Sequence, residues 1–323
     1  MRKHTALATA IGLTLAFAPA NSNAQDKFPS HPIVLSHGFG AGGNSDTVAR
    51  VIAPVLSERL GQQVLVEPRV GMGGNMATDK TVKASPDGYT LVVLTGGHAV
   101  GGALYKTLPF HPVDDLQMIS TLIFFPFVIS VRKDHPFQNL GDLIAAAKAK
   151  PKTITYSSVG IGSTQHLAGE LLQSMAGIEL VHVPYRGGMA PVTDLLGGRI
   201  DVMIDTLTVT SPQIAGGAIR GLAVTSPKEW PSLPGIPAAD ATVPGYDVRS
   251  WMGVATTKGV PADVLARLNA EIRYALAQPV VKSRLEQIGN EVRPSTPDEM
   301  RAHVAAEIAK WKKVVADANV PQQ

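Results

Sequence analysis

Gly38-Phe39-Gly40-Ala41-Gly42-Gly43-Asn44-Ser45-Asp46 runs straight into an apolar-periodic stretch over 47–60. A second stretch, Ser157-Ser158-Val159-Gly160-Ile161-Gly162-Ser163-Thr164, runs in the same way into 165–176. Each periodic stretch is followed by a glycine, a short β-branched run and, ten residues on, another glycine: Gly61 to Gly71 and Gly177 to Gly187. The first N–H groups of a helix have no partner within it and sit at the positive end of its dipole, so a glycine loop leading into a helix holds anions. Two such units in two similar half-chains predict a ligand gripped from both sides.

Working outward, the spacing predicts strands over 33–36, 64–67, 90–94, 128–132, 153–157, 180–183, 201–204, 221–225 and 252–256. Segments with apolar residues at helical spacing separate most of them: Val48, Ile52, Val55 and Leu56; Leu140, Leu143, Ile144 and Ala147; Leu167, Leu171 and Leu172. This alternation predicts an α/β fold with mostly parallel sheets. The tail is helical, with starts at Pro261, at Pro279 and at Ser295-Thr296-Pro297, since proline in the first turn and Ser or Thr before it are start signals. The runs 127–133 and 252–258 are each followed by proline and a helix and are expected to cross between two lobes. The division expected is 1–24 as a leader, 25–126 plus 254–323 as lobe one, and 127–253 as lobe two.

Arg2 and Lys3, an apolar run over 6–18 and Ser22-Asn23-Ala24 form a secretory signal peptide cleaved after Ala24, which implies the periplasm. The run is too short to span a membrane, and the absence of cysteine excludes a lipoprotein anchor, a disulfide framework and a thiolate site. Without Arg2 and Lys3 the chain carries 27 basic and 26 acidic side chains. That balance, no basic stripe and 5% aromatics argue against a nucleic-acid partner.

Gly38, Gly40 and Gly43 match G-x-G-x-x-G, but an exported chain meets little nucleotide, and no cofactor is expected. No Gly-Lys-Ser/Thr follows either loop, so neither is a phosphate loop. No histidine pair has helical metal spacing, and no metal is expected. Asn44 or Ser45 would cap the first helix, and Ser163 or Thr164 the second. Asp46, in a first turn, either caps or meets a ligand. Asp205 ends an apolar strand ahead of Thr206, where a parallel strand opens into a crevice, and both are candidate ligand contacts; the alternative role for Asp205 is N-cap of the next segment. His37 and His98 each end a strand and could donate to a carboxylate, with Thr95 beside His98 in the same turn. His166 and His182 read as structural, and Trp251 and Tyr185 flank the expected crevice. No G-x-S-x-G elbow is present, which leaves an exported hydrolase with a distant Ser–His pair as a rival reading.

Several ordered motifs carry a resemblance: Asn44-Ser45-Asp46 with Ala49-Arg50, Val66-Glu67-Pro68-Arg69 with Gly71-x-Gly73-Gly74-Asn75, and Ser85-Pro86-Asp87-Gly88-Tyr89-Thr90. His166-Leu167, Val183-Pro184-Tyr185-Arg186-Gly187, Asp194-Leu195-Leu196-Gly197-Gly198 and Asp201-Val202-Met203-x-Asp205 continue it. Together they resemble the Bug-type extracytoplasmic solute receptors of tripartite tricarboxylate transporters. The resemblance implies a type II periplasmic binding fold, two α/β lobes closing on a ligand, and no enzymatic activity. It implies a monomer that delivers a small organic acid, a di- or tricarboxylate or an aromatic carboxylate, to membrane transporter subunits; a ligand-presenting sensor would look the same. It maps ligand contacts onto Phe39, Ala41, Gly42, Asn44, Ser45, Ser157, Ser158, Gly162, Ser163 and Thr164, and gives Asp205 a ligand contact in some amino-acid-binding members. This chain departs from the family pattern at His37, at Thr95-Gly96-Gly97-His98, and at Ser157-Ser158-Val159, where a more glycine-rich start is usual.

Overall fold

The computed structural model describes residues 28–317 and 320–323; the expected leader lies outside them. Ten strands form one curled sheet: β1 (Ile33–His37), β2 (Val64–Pro68), β3 (Thr90–Thr95), β4 (Leu116–Arg132), β5 (Thr155–Ser158), β6 (Val181–Pro184), β7 (Val202–Thr206), β8 (Ile219–Val224), β9 (Arg249–Thr257) and β10 (Glu291–Val292). Its path is β2-β1-β3-β9-β4-β7-β5-β6, with β8 and β10 pairing β4 off that path. The two ends mirror each other. β2-β1-β3 are parallel and meet antiparallel β9, while β6-β5-β7 are parallel and meet antiparallel β4. The sequence repeat is therefore a repeat of β-loop-α-β units, one per half.

Helices α1 (Asn44–Leu60), α2 (Asn75–Val82), α3 (Gly96–Leu104), α4 (Leu140–Ala149), α5 (Thr164–Ala176), α6 (Ala190–Leu196) and α7 (Leu207–Ala215) cover the sheet, followed by α8 (Ala262–Ala277), α9 (Pro279–Gln287) and α10 (Pro297–Asp317). α1 buries Val48, Ile52 and Leu56, and α5 buries Leu167 and Leu172; these include the positions whose spacing predicted helix. Gly61 and Gly177 stop the two helices at matching points. The main core runs through both halves and includes Trp251, Trp311, Tyr156 and Phe127. Among the described residues no helix is long and apolar enough to cross a membrane.

β4 is twelve residues longer at its start than the expected strand over 128–132. The run from Leu116 to Phe127 is nearly all buried on both faces, so it shows no alternation to mark it as strand. Pro126 also reads as a breaker. It sits where pairing passes from the first half of the sheet (up to Pro126↔Arg249) to the second (from Phe127↔Thr206), a place that spares a ladder hydrogen bond. On the return, every residue of β9 from Arg249 pairs with β3 or β4 in the first half, whereas the sequence reading kept 249–253 in lobe two.

Candidate functional site

In a parallel sheet each strand's C-terminal end opens into the loop that starts the next helix. Here four such junctions converge: β1 into α1, β3 into α3, β5 into α5 and β7 into α7. They surround a cleft enclosing about 450 Å³, its mouth included, and each helix N-terminus contributes: Asn44 and Ser45 from α1, Thr95 and Gly97 at α3, Thr164 and Gln165 from α5, Thr206 and Val209 at α7. The repeat predicted two cradles; the tertiary structure assembles four. No lysine or arginine lines the cleft, so helix ends and N–H groups are what it offers an anion. Phe39, Phe125, Phe127, Val159 and Met252 supply apolar walls.

Asp205 is the one formal charge on this wall. It is 3% exposed, its Oδ1 accepts the Thr206 N–H at 2.7 Å, and burial pushes its carboxyl up to about 6. Hydrogen bonds from Thr206 and Gln165 oppose that shift without cancelling it.

The two halves touch across the cleft. The Gly40 N–H donates to Arg186 O at 3.0 Å, Thr208 Oγ1 donates to Asn44 Oδ1 at 2.7 Å, and Trp230 Nε1 donates to Gly289 O at 2.9 Å. A Cβ placed on Gly73 would stand 2.8 Å from the Gly162 carbonyl carbon. This is a closed arrangement, in which glycine backbones from opposite halves lie against each other.

Of the expected contacts, Phe39, Asn44, Ser45, Thr95, Thr164, Asp205 and Thr206 line the cleft. The other eight lie off its wall, each for an identifiable reason. Gly42 gives its N–H to Asp46 Oδ2 at 3.0 Å, and Ala41 lies exposed beside Gly188. Asp46 faces inward: Arg50 Nε donates to its Oδ1 at 2.9 Å, and His37 Nε2 stands 3.2 Å away. Burial lowers the His37 pKa, and Asp46 opposes the shift. Asp46 thus ties the first loop to the start of α1. Gly43, not Asn44 or Ser45, is the N-cap of α1 and supplies no side-chain bond; Asp46→Ala is expected to cost about 1–2 kcal/mol in urea unfolding, the usual range for losing hydrogen bonds to a buried carboxylate.

His98 does not end a strand. Thr95 caps α3 by accepting the Gly97 N–H at 3.2 Å, and the helix turns His98 inward, where Nε2 meets Pro112 O at 2.7 Å and the ring stacks on Phe110. Its burial pushes the imidazole down to about 4, so it is neutral packing. Four glycines and a histidine in nine residues make a poor helix by propensity, which hid α3. Ser163 Oγ caps α5 through the His166 N–H at 3.2 Å, and Gly162 packs against Tyr105. Ser157 is buried within β5. Ser158 Oγ lies 2.7 Å from His182 Nε2, the kind of pair a hydrolase needs, but neither residue is on the cleft wall. Trp251 is buried edge-on to His303, and Tyr185 borders a neighbouring groove.

The wall also holds residues that the sequence reading missed: Gly43, Gly97, Phe125, Phe127, Val159, Gln165, Gly187, Gly188, Val209, Ser250 and Met252. Gln165 and Val209 follow caps that the repeat and the strand-end rule locate, so one helical turn more would have found them. Phe125, Phe127, Ser250 and Met252 face the cleft only because β4 and β9 cross beside each other. Among the described residues no group of three or more His, Cys, Asp or Glu could hold a metal.

Residues 48–320 match the family model described as "Tripartite tricarboxylate transporter family receptor". A relative from Pseudomonas sp. (strain P51), "UPF0065 protein in tcbD-tcbE intergenic region", is 37% identical over 95% of this chain and 92% of its own. The solved structure "R. palustris Rpa4515 with adipate" superposes with a TM-score of 0.87 at 37% identity, covering 90% of this chain and 98% of that one. "MatC (Rpa3494) from Rhodopseudomonas palustris with bound malate" does so with a TM-score of 0.85 at 30% identity, covering 89% and 100%.

Proposed function

The chain belongs to the tripartite tricarboxylate transporter receptor family, and on that premise we propose that it captures a small aliphatic dicarboxylate in the periplasm and presents it to the membrane subunits of a tripartite transporter. It is a solute-binding receptor, not an enzyme. The observation that carries the ligand class is the convergence of four helix N-termini on a cleft without a basic side chain. Such a site takes up negative charge through N–H groups, each charge-assisted bond contributing roughly 1.5–3 kcal/mol gross. The residues proposed to hold the acid are Asn44, Ser45, Thr95, Thr164, Gln165 and Thr206, from both halves. Phe39, Phe125 and Phe127 favour an unsubstituted carbon chain between the two carboxylates. The likeness to the adipate-bound and malate-bound structures supports the same class.

Calorimetric titration with succinate, malate, glutarate, adipate, citrate and benzoate tests this. Adipate is expected to bind at least about tenfold tighter than malate, because burying a hydroxyl beside the aromatic walls costs on the order of 1–3 kcal/mol. Heat from none of these acids would end the carboxylate reading; a preference for citrate or benzoate would end the aliphatic dicarboxylate.

A further inference from the structure

Behind the second loop, on the side away from the cleft, three aromatic rings stack. His182 of β6 lies between Tyr156 of β5, with ring centres 4.9 Å apart, and His166 of α5, at 4.4 Å. The central ring makes one further contact, its Nε2 lying 2.7 Å from Ser158 Oγ. Ser158 Oγ also accepts the Gly160 N–H at 3.0 Å. The Gly160 carbonyl is held in turn by Ser163, through its N–H at 3.1 Å and its Oγ at 2.6 Å. Ser163 then caps α5, whose next residues, Thr164 and Gln165, reach the cleft. One unbroken chain of hydrogen bonds therefore runs from His182 to the N-terminus that faces the ligand.

The hydroxyl of Ser158 has one proton and two possible acceptors. Gly160 O lies at 3.3 Å and His182 Nε2 at 2.7 Å, so with the ring proton on Nδ1 the imidazole is the nearer acceptor and takes it. With the proton committed to the ring, a lone pair of the hydroxyl faces the Gly160 N–H. Without that acceptor the hydroxyl would turn toward Gly160 O and compete with Ser163 for the same carbonyl. Gly160 has φ +127°, a conformation open to glycine but not to other residues, so its N–H and carbonyl are aimed by these hydrogen bonds and not by a side chain. Burial pushes His182 down to about 3, with His166 the next contribution, so the ring stays neutral at ordinary pH and keeps one nitrogen free to accept.

We propose that His182 is a positioning residue for ligand capture: by orienting the Ser158 hydroxyl it holds the 158–163 loop, and so the α5 N-terminus, in the geometry that grips the acid. This rests on the carboxylate reading for its consequence but not for its structural half. The test separates the two roles of the ring. His182→Phe keeps the stack and removes the acceptor, while His182→Gln loses the stack and keeps an acceptor near the Nε2 position. In hydrogen–deuterium exchange of the ligand-free protein, His182→Phe and Ser158→Ala are each expected to speed exchange in peptides covering 158–166 by about tenfold, the loss of one buried hydrogen bond. Peptides covering 38–46 should be unchanged. His182→Gln is expected to restore the slow rates, and Ser158→Ala should add nothing to His182→Phe.

Titrated with adipate, His182→Phe should bind about tenfold more weakly and His182→Gln close to wild type. Wild-type exchange of 158–166 in His182→Phe would overturn the proposal, as would slow rates lost in His182→Gln, which would make the stack the active element. A wild type that binds no acid would defeat the carboxylate reading instead and leave the exchange comparison to decide this one.

Discussion

Gly73→Ala is expected to weaken acid binding by about 10- to 100-fold while leaving the protein folded, which places about 1.4–2.8 kcal/mol on closure alone. The residue has φ +60°, and a Cβ there would lie 2.8 and 2.9 Å from the Gly162 carbonyl carbon and oxygen and 2.9 Å from Ile161 O. All three obstacles are backbone on the opposite half, so no side chain can swing aside. The cost of a left-handed alanine, about 1–2 kcal/mol, falls on the open and closed forms alike and appears as lost stability. The clash falls on the closed form only. Calorimetry with the acid that the wild type binds would measure the affinity. Small-angle scattering should show the variant staying expanded at ligand concentrations that compact the wild type. Unchanged affinity and full compaction would mean that the closed form does not need this glycine contact.

The second large effect concerns Asp205. A carboxyl pushed up to about 6 in the folded protein, against 3.8 in the unfolded chain, keeps a proton that the unfolded chain has already released. Stability therefore falls as pH rises between those two values and stays lower above them, by roughly 3 kcal/mol for a shift of about two units. Asp205→Asn removes this dependence. It is expected to be more stable than wild type by about 2–3 kcal/mol at pH 7.5 and nearly equal to it at pH 4, in denaturant unfolding without ligand. A variant less stable at both pH values would show that the carboxylate is satisfied as an anion. The same group bears on binding. A second negative charge brought beside Asp205 favours its protonated form. Adipate binding near pH 7 should therefore take up as much as one proton, visible as an observed heat that changes with the ionisation enthalpy of the buffer. A ligand bearing its own cation would show no uptake.

Both expectations depend on features unevenly legible in the chain. Asp205 was placed at the cleft from sequence, because an apolar strand ending in an acid ahead of a threonine locates a parallel strand's end. That its carboxyl would be buried without a cation was not legible, since this depends on what the opposite half contributes. Gly73 could be read only as part of a motif. Its role comes from contact with Gly162, far away in the chain, and no local pattern encodes such a contact. His98 went the other way: a strand-end reading gave it to the ligand, and the capped helix after Thr95 turned it into the core.

What the sequence determined by itself was the α/β class, the duplicated loop–helix unit and the anion-holding chemistry of helix starts, together with the family likeness. These are short-range properties: glycine at a turn, a hydroxyl at a cap and apolar spacing of two or 3.6 each act within a few residues. The tertiary structure alone decided that four helix N-termini meet rather than two, that β4 and β9 bring Phe125, Phe127 and Met252 to the wall, and which caps face the cleft. Those follow from strand order and crossover, which pair residues more than a hundred positions apart. The free energy of such pairing is set by burial over the whole sheet, and no stretch of the chain carries it alone.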